Sequence, residues 1–332
     1  MKAKTMLMGA VTLLTVTSLA ACASNNEISS PNKDMDKQLT AKSLKGNDIV
    51  TYKGGSITIR EFYETVKSNQ QAQNVLLQML INDTTEKEYG SKVTDKDIQE
   101  AYDETKNQYG EEAFKQQLAQ AGLTEDEFKQ QIRTTKLVEY AVKAQAEKEL
   151  TDEELKKAYD NYKPEATAQI IVMSDKSKAE EVLSKAKEGS DFTQLAKDNT
   201  LDTKAKESGG KVTFDSTSTD VPSDVQNAIY ALNNGQVGAQ LVSITNYQTN
   251  TSLYYIVKLD KKAEKSKDMN DYKDILTKSI IKAKQSDTQY VAKVVGNLFK
   301  EYNVKVKDDS FQQTINKYVE AVASNASSSS SK

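Results

Sequence analysis

The chain has 332 residues, 45 Lys and Arg against 48 Asp and Glu, a formal net charge of −3, one cysteine and no histidine. This length predicts more than one domain, and the near-balanced charge, with no basic patch, argues against nucleic acid as a partner. Without histidine there is no imidazole metal ligand and no Ser-His or Cys-His nucleophile pair, and a single cysteine excludes an internal disulfide; neither a metal nor a cofactor is expected.

The first elements concern export. Lys2 and Lys4 precede an apolar run from Met6 to Leu19. That run is shorter than the roughly 20 apolar residues a membrane span needs, and it has the length of a secretory h-region. It ends in Leu19-Ala20-Ala21-Cys22, which resembles a bacterial lipobox. The resemblance implies a signal peptide over 1–21, lipid attachment at Cys22 and a polar tether over 22–47. The protein is then expected on the extracytoplasmic face of the cell membrane, held by at least two acyl chains.

Asp48 to Ile59 predicts a hairpin with its turn at Lys53-Gly54-Gly55. Thr58 and Glu61 have capping-box spacing and open a long helix whose apolar stripe is Phe62, Val66, Val75, Leu76, Met79 and Leu80. Three further helices are expected between Val93 and Lys163, opened at Thr94, Thr124 and Thr151 by Thr-x-x-acid starts. Pro164 marks a boundary.

From Ala166 to Leu259 the pattern becomes strand, two helices, strand, helix and two strands, an α+β domain. The strands are Thr167–Met173, Val212–Phe214, Val237–Thr245 and Leu253–Leu259; the helices are Lys176–Lys187, Phe192–Asp198 and Pro222–Leu232. A charged linker, a long helix from Asp271 to Tyr302, a short strand at Asn303–Lys307, a helical piece at Phe311–Val322 and a disordered serine tail complete the chain.

The middle domain resembles the parvulin (rotamase) family. Ala168-Gln169-Ile170-Ile171-Val172 stands where the family has Ser-His-Ile-Leu, and Gly189-Ser190-Asp191-Phe192-Thr193-Gln194-Leu195-Ala196 is close to its Gly-x-Asp-Phe-x-x-Leu-Ala block. Thr200-Leu201-Asp202, Gly209-Gly210-Lys211-Val212-Thr213, Ala228 to Gly235 and Tyr254-Tyr255-Ile256-Val257-Lys258 follow in family order. The flanking helical segments resemble those of PrsA-type foldases. The resemblance implies a four-stranded antiparallel sheet with surrounding helices over 164–261. It is inserted in a mainly α-helical chaperone lobe formed by 48–163 and 262–322, with the serine tail at 323–332.

The resemblance also implies a membrane-anchored foldase for secreted proteins, carrying a peptidyl-prolyl isomerase domain. Its partners are then unfolded or partly folded exported proteins, and a homodimer is a further expectation, since family members often dimerise through the helical lobe. In the family, two facing histidines and an Asp or Cys form a hydrogen-bond network beneath the proline pocket. Here the histidine positions are Gln169 and Tyr255, and the acid is Asp202. Val212, Phe214, Val221, Val225 and Tyr230 are the implied pocket residues. Two readings of the activity stand at this point: a shell with weak or absent isomerase activity, and an active enzyme using Asp202, Gln169 and Tyr255. A surface adhesin is a third, from a different class of function.

Overall fold

The computed structural model describes residues 47–328. The signal segment, Cys22, the tether up to residue 46 and the last four residues lie outside that range. Two compact units are present among the described residues: 149–282, and 47–148 together with 283–328.

The second unit opens with the hairpin β1 (Asp48–Tyr52) and β2 (Gly55–Thr58), followed by α1 (Ile59–Val66) and α2 (Gln70–Tyr89). The Thr58–Glu61 capping box forms, with Thr58 N donating to Glu61 Oε2 at 2.8 Å. The single long helix expected here is two helices, because Asn69 leaves helical geometry and its side chain accepts from Gln71 N to restart the chain as α2. The expected apolar stripe is also corrected. Leu77 is the buried apolar residue of α2 and Leu80 packs beside it, whereas Phe62, Val75, Leu76 and Met79 are exposed.

Next come α3 (Asp95–Tyr109), α4 (Glu111–Ala121) and α5 (Glu125–Glu149). Gly110, at φ +79°, separates α3 from α4, one helix more than the cap pattern predicts. The three helices meet in an edge-to-face aromatic cluster of Tyr102, Phe114 and Phe128. Burial raises the Tyr102 hydroxyl to about 12. Arg133 of α5 grips Glu86 of α2 with Nε and Nη2, at 2.9 and 2.6 Å, and donates to the Gly90 and Val93 carbonyls.

The first unit holds α6 (Asp152–Asn161), β3 (Ala166–Met173), α7 (Lys176–Lys187), α8 (Phe192–Asn199), α9 (Thr203–Ser208), β4 (Lys211–Phe214), α10 (Ser223–Tyr230), β5 (Val242–Asn246) and β6 (Thr251–Lys262). Its sheet has the order β4-β3-β6-β5 and every neighbouring pair is antiparallel. The fifth strand is shorter than the sequence pattern suggests. The chain touches β6 at Val237 and then leaves the ladder before rejoining it at Val242.

Strand alternation sends Ala168 and Ile170 of β3, with Tyr255, Val257 and Leu259 of β6, against α10. Ile171, Met173 and Ile256 face the opposite way, against α7 and α8. Both faces of the sheet are therefore covered. Each fully buried Ile or Leu contributes about 1.5–3 kcal/mol. α6 and the first turns of α11 (Lys273–Ser286) pack together at Leu155, Tyr162 and Leu276, so the compact unit extends on both sides of 164–261.

α12 (Thr288–Glu301) and α13 (Gln312–Ser328) end the described chain. The helix expected over Asp271–Tyr302 is broken at Asp287, whose carboxylate accepts from Gln289 N and Tyr290 N. The short strand expected at Asn303–Lys307 is a loop. Asn303 sits at φ +50°, and Val304 and Val306 pack under α12 and α13 instead of pairing. α13 continues to Ser328, into the stretch expected to be disordered.

Candidate functional site

Gln169 occupies the middle of β3 and is 3% exposed. Its side chain lies on the face of Ile171, towards α8 and α9. Nε2 donates to Thr193 Oγ1 at 2.9 Å and to the Gly209 carbonyl at 3.0 Å. Oε1 accepts from Lys258 Nζ at 3.3 Å, and Lys258 also pairs with Asp260 at 3.4 Å. Lys258 is the residue directly opposite Gln169 in the β3–β6 ladder. Both amide donors and the amide oxygen are thus engaged locally.

Tyr255 lies on the other face. It is paired with Val172 in the ladder and packs among the residues that meet α10. Burial pushes its hydroxyl above the usual phenol range. The sheet itself therefore separates the Gln169 and Tyr255 side chains.

Asp202 is exposed and caps α9, with Oδ1 accepting from Ala205 N at 2.7 Å. The turn before it is tied to the end of β3. Val172 N donates to Thr200 Oγ1 at 3.0 Å, and Leu201 N donates to the Val172 carbonyl at 2.8 Å. This brings the Asp202 backbone beside the strand position that pairs with Tyr255. The two glycines after α9 have positive φ, and Gly210 is the more constrained. A Cβ there would stand 2.6 Å from the Ile170 carbonyl oxygen, so no larger residue fits this approach to β3.

The five implied pocket residues are brought together, but as a filled core rather than an open cleft. Phe214, Val221 and Val225 are buried, and Val212 and Tyr230 pack against them. Tyr230 meets Phe214 edge-on at 5.5 Å between ring centroids and donates its hydroxyl to the Pro164 carbonyl at 2.9 Å. Its other side lines a shallow groove of about 390 Å³ with Tyr162, Lys163, Lys262 and Lys265. The loop above the cluster is fixed by Asp215, which accepts from Thr217 N and from the Tyr162 hydroxyl, and by Gln226, which donates to the Ser218 and Val221 carbonyls.

Thr193, Thr200 and Lys258 hold the site's elements together, yet the sequence reading gave them no role. All three stand inside the motifs quoted for the resemblance, and their position there was the available signal. No group of His, Cys, Asp and Glu suited to a metal ion occurs among the described residues.

Comparison with known proteins adds an independent finding. A family model described as a PPIC-type PPIase domain matches residues 150–274. The foldase protein PrsA of Streptococcus sanguinis strain SK36 is 51% identical over 317 residues, covering 95% of this chain and 88% of that one. The foldase protein PrsA of Streptococcus gordonii strain Challis is 49% identical and covers 99% of both chains. Among solved structures, foldase protein PrsA from Streptococcus pneumoniae is 49% identical with a TM-score of 0.72, over 82% of this chain and all of that one. The Lactococcus lactis foldase protein PrsA is 33% identical with a TM-score of 0.59, over 82% of this chain and 99% of that one.

Proposed function

This chain belongs to the PrsA foldase family, and from that premise we propose a membrane-anchored foldase whose parvulin domain has weak or no prolyl isomerase activity. The protein is a foldase with a parvulin-type domain, and its substrates are exported polypeptides. The anchoring and the loss of activity are our reading. The domain limits of that reading are 164–261 for the parvulin-like part and 48–163 with 262–322 for the chaperone lobe.

One observation carries the reading of the activity: Gln169 is a fully bonded strut on the face of the sheet turned away from Tyr255. Prolyl isomerisation has to cross a barrier of about 18–20 kcal/mol set by amide resonance. An enzyme lowers it by binding the twisted amide better than the planar one. Gln169 has no donor left to offer a twisted amide, Tyr255 is embedded in packing and Asp202 caps a helix. What remains is a rigid shell that binds without an assembled proton network. Anchoring rests on the Leu19-Ala20-Ala21-Cys22 pattern. No helix among the described residues is long and apolar enough to cross a membrane.

A protease-coupled prolyl peptide assay on the mature chain tests the activity. The expected rate equals the uncatalysed background and is unchanged by Asp202→Ala, while suppression of aggregation of an unfolded client persists. A rate well above background that falls on Asp202→Ala would establish the active-isomerase reading instead. Labelling with radioactive palmitate, with Cys22→Ala as control, tests the anchor.

A further inference from the structure

Ten of the fourteen large apolar side chains exposed among the described residues lie between positions 49 and 79. They are not scattered. Val50 and Ile57 are directly opposed in the hairpin, and Tyr52, two residues along β1, shares their pleat face. Val50 is 49% exposed, Tyr52 62% and Ile57 45%. The other pleat face carries Thr51 and Ser56. A two-stranded hairpin is marginal in water, so an uncovered apolar face on one calls for a cover.

The helix that follows repeats the pattern. Ile59 and Phe62 lead the apolar side of α1 into solvent, with Val66 half-buried at its end, while Glu61, Glu64 and Thr65 occupy the other side and Tyr63 is turned to Asp308 and Phe311. No residue of α1 is buried, and Phe62 is 55% exposed. Lys53 and Arg60 flank this surface and Tyr52 adds an amphipathic ring, whereas Lys67 is paired with Glu64 and Asp308. Apolar and aromatic groups beside basic residues are the composition of a helix lying in the lipid–water interface.

Position in the chain selects the partner. β1 begins 26 residues after Cys22. Fully extended, that stretch spans on the order of 90 Å. A hairpin so restricted meets the bilayer at an effective concentration on the order of millimolar, which turns weak interfacial affinity into occupancy. We propose that the apolar face of β1–β2 and α1 docks on the outer surface of the membrane that holds the lipid anchor. This inference rests on the anchoring reading given above.

The chain contains no tryptophan, so Phe62→Trp creates a single indole reporter. The full lipidated protein carrying it is reconstituted in vesicles of phosphatidylglycerol and phosphatidylethanolamine, with and without brominated acyl chains. The expected result is blue-shifted emission that brominated lipid quenches. In the unlipidated mature chain, Phe62→Asp should weaken vesicle binding about ten-fold or more, the loss of one aromatic side chain's burial. Water-like, unquenched emission from protein that still floats with the vesicles would overturn the docking and leave the anchor standing. A blue shift that grows with protein concentration in the absence of lipid would assign the face to a second copy and overturn it as well. Failure to float would remove the anchor and the docking together.

Discussion

The sheet unit and the N-terminal hairpin segment are built from similar apolar patterns and end in opposite states. In the sheet unit, alternation on β3 and β6 is matched by helices on both faces, and Ile171, Ile256, Leu259, Val225 and Ile229 are sealed. In the segment from Ile49 to Met79, equally clear alternation and helical spacing leave Val50, Tyr52, Phe62 and Met79 in solvent. An apolar stripe states that an element has something to cover. Whether the chain supplies that cover depends on elements far away in sequence, and among the described residues only one of the two regions has it.

Substitutions can break or sharpen this contrast. The largest effect is expected in the sheet. Leu259→Ala removes a side chain with no exposure and should cost about 2–5 kcal/mol, read as a shift of the urea midpoint for the unit 149–282. Gln169→Ala should cost about 1–3 kcal/mol in the same measurement, because it strands the Gly209 carbonyl at a buried position and removes the bond to Thr193. A loss near zero would mean that the strut is not structural, and would reopen Gln169 as a functional group.

An intermediate effect is expected where the hairpin segment is tied down. Asp308 accepts from the Tyr63 hydroxyl at 2.8 Å and from Ser310 N at 2.9 Å. Hydrogen bonds from Ser310 and Tyr63 hold its carboxyl well below the usual carboxylate range. Its folded pKa is depressed, so its contribution is complete above the unfolded value near 4 and is lost as pH falls below it. Acid titration followed by urea melts should show this limb in the native protein and not in Asp308→Asn. The smallest effect belongs to the exposed face. Phe62→Ser should change stability by no more than about 0.5 kcal/mol in detergent-free buffer, the opposite of Leu259→Ala.

Most of the sheet domain was legible in the chain because its signals are local. Pro164, the Gly189 and Gly209-Gly210 breaks and the alternation of β3 and β6 each act within a few residues. The helix breaks at Asn69, Gly110 and Asp287 were missed because the apolar spacing on either side continues through them. Only the backbone geometry reveals that Asn69 and Asp287 cap new helices. Of the candidate site, the residues that come together were readable and their arrangement was not. Motif order placed Gln169, Asp202 and Tyr255 near one another. Which face of the sheet each side chain takes depends on register: the ladder pairs Gln169 with Lys258 and Tyr255 with Val172, three residues further along β3, which puts the two on opposite faces.

The Gln169 strut also bears on which substitutions this position tolerates. Glutamine serves three neighbours at once: a hydroxyl, a carbonyl and an ammonium. Imidazole has two ring nitrogens, so Gln169→His cannot serve all three of those neighbours at once. Gln169→His alone should therefore lower stability without creating a facing pair, because position 255 lies on the other face of the sheet. The buried amide thus makes a histidine pair hard to install one residue at a time.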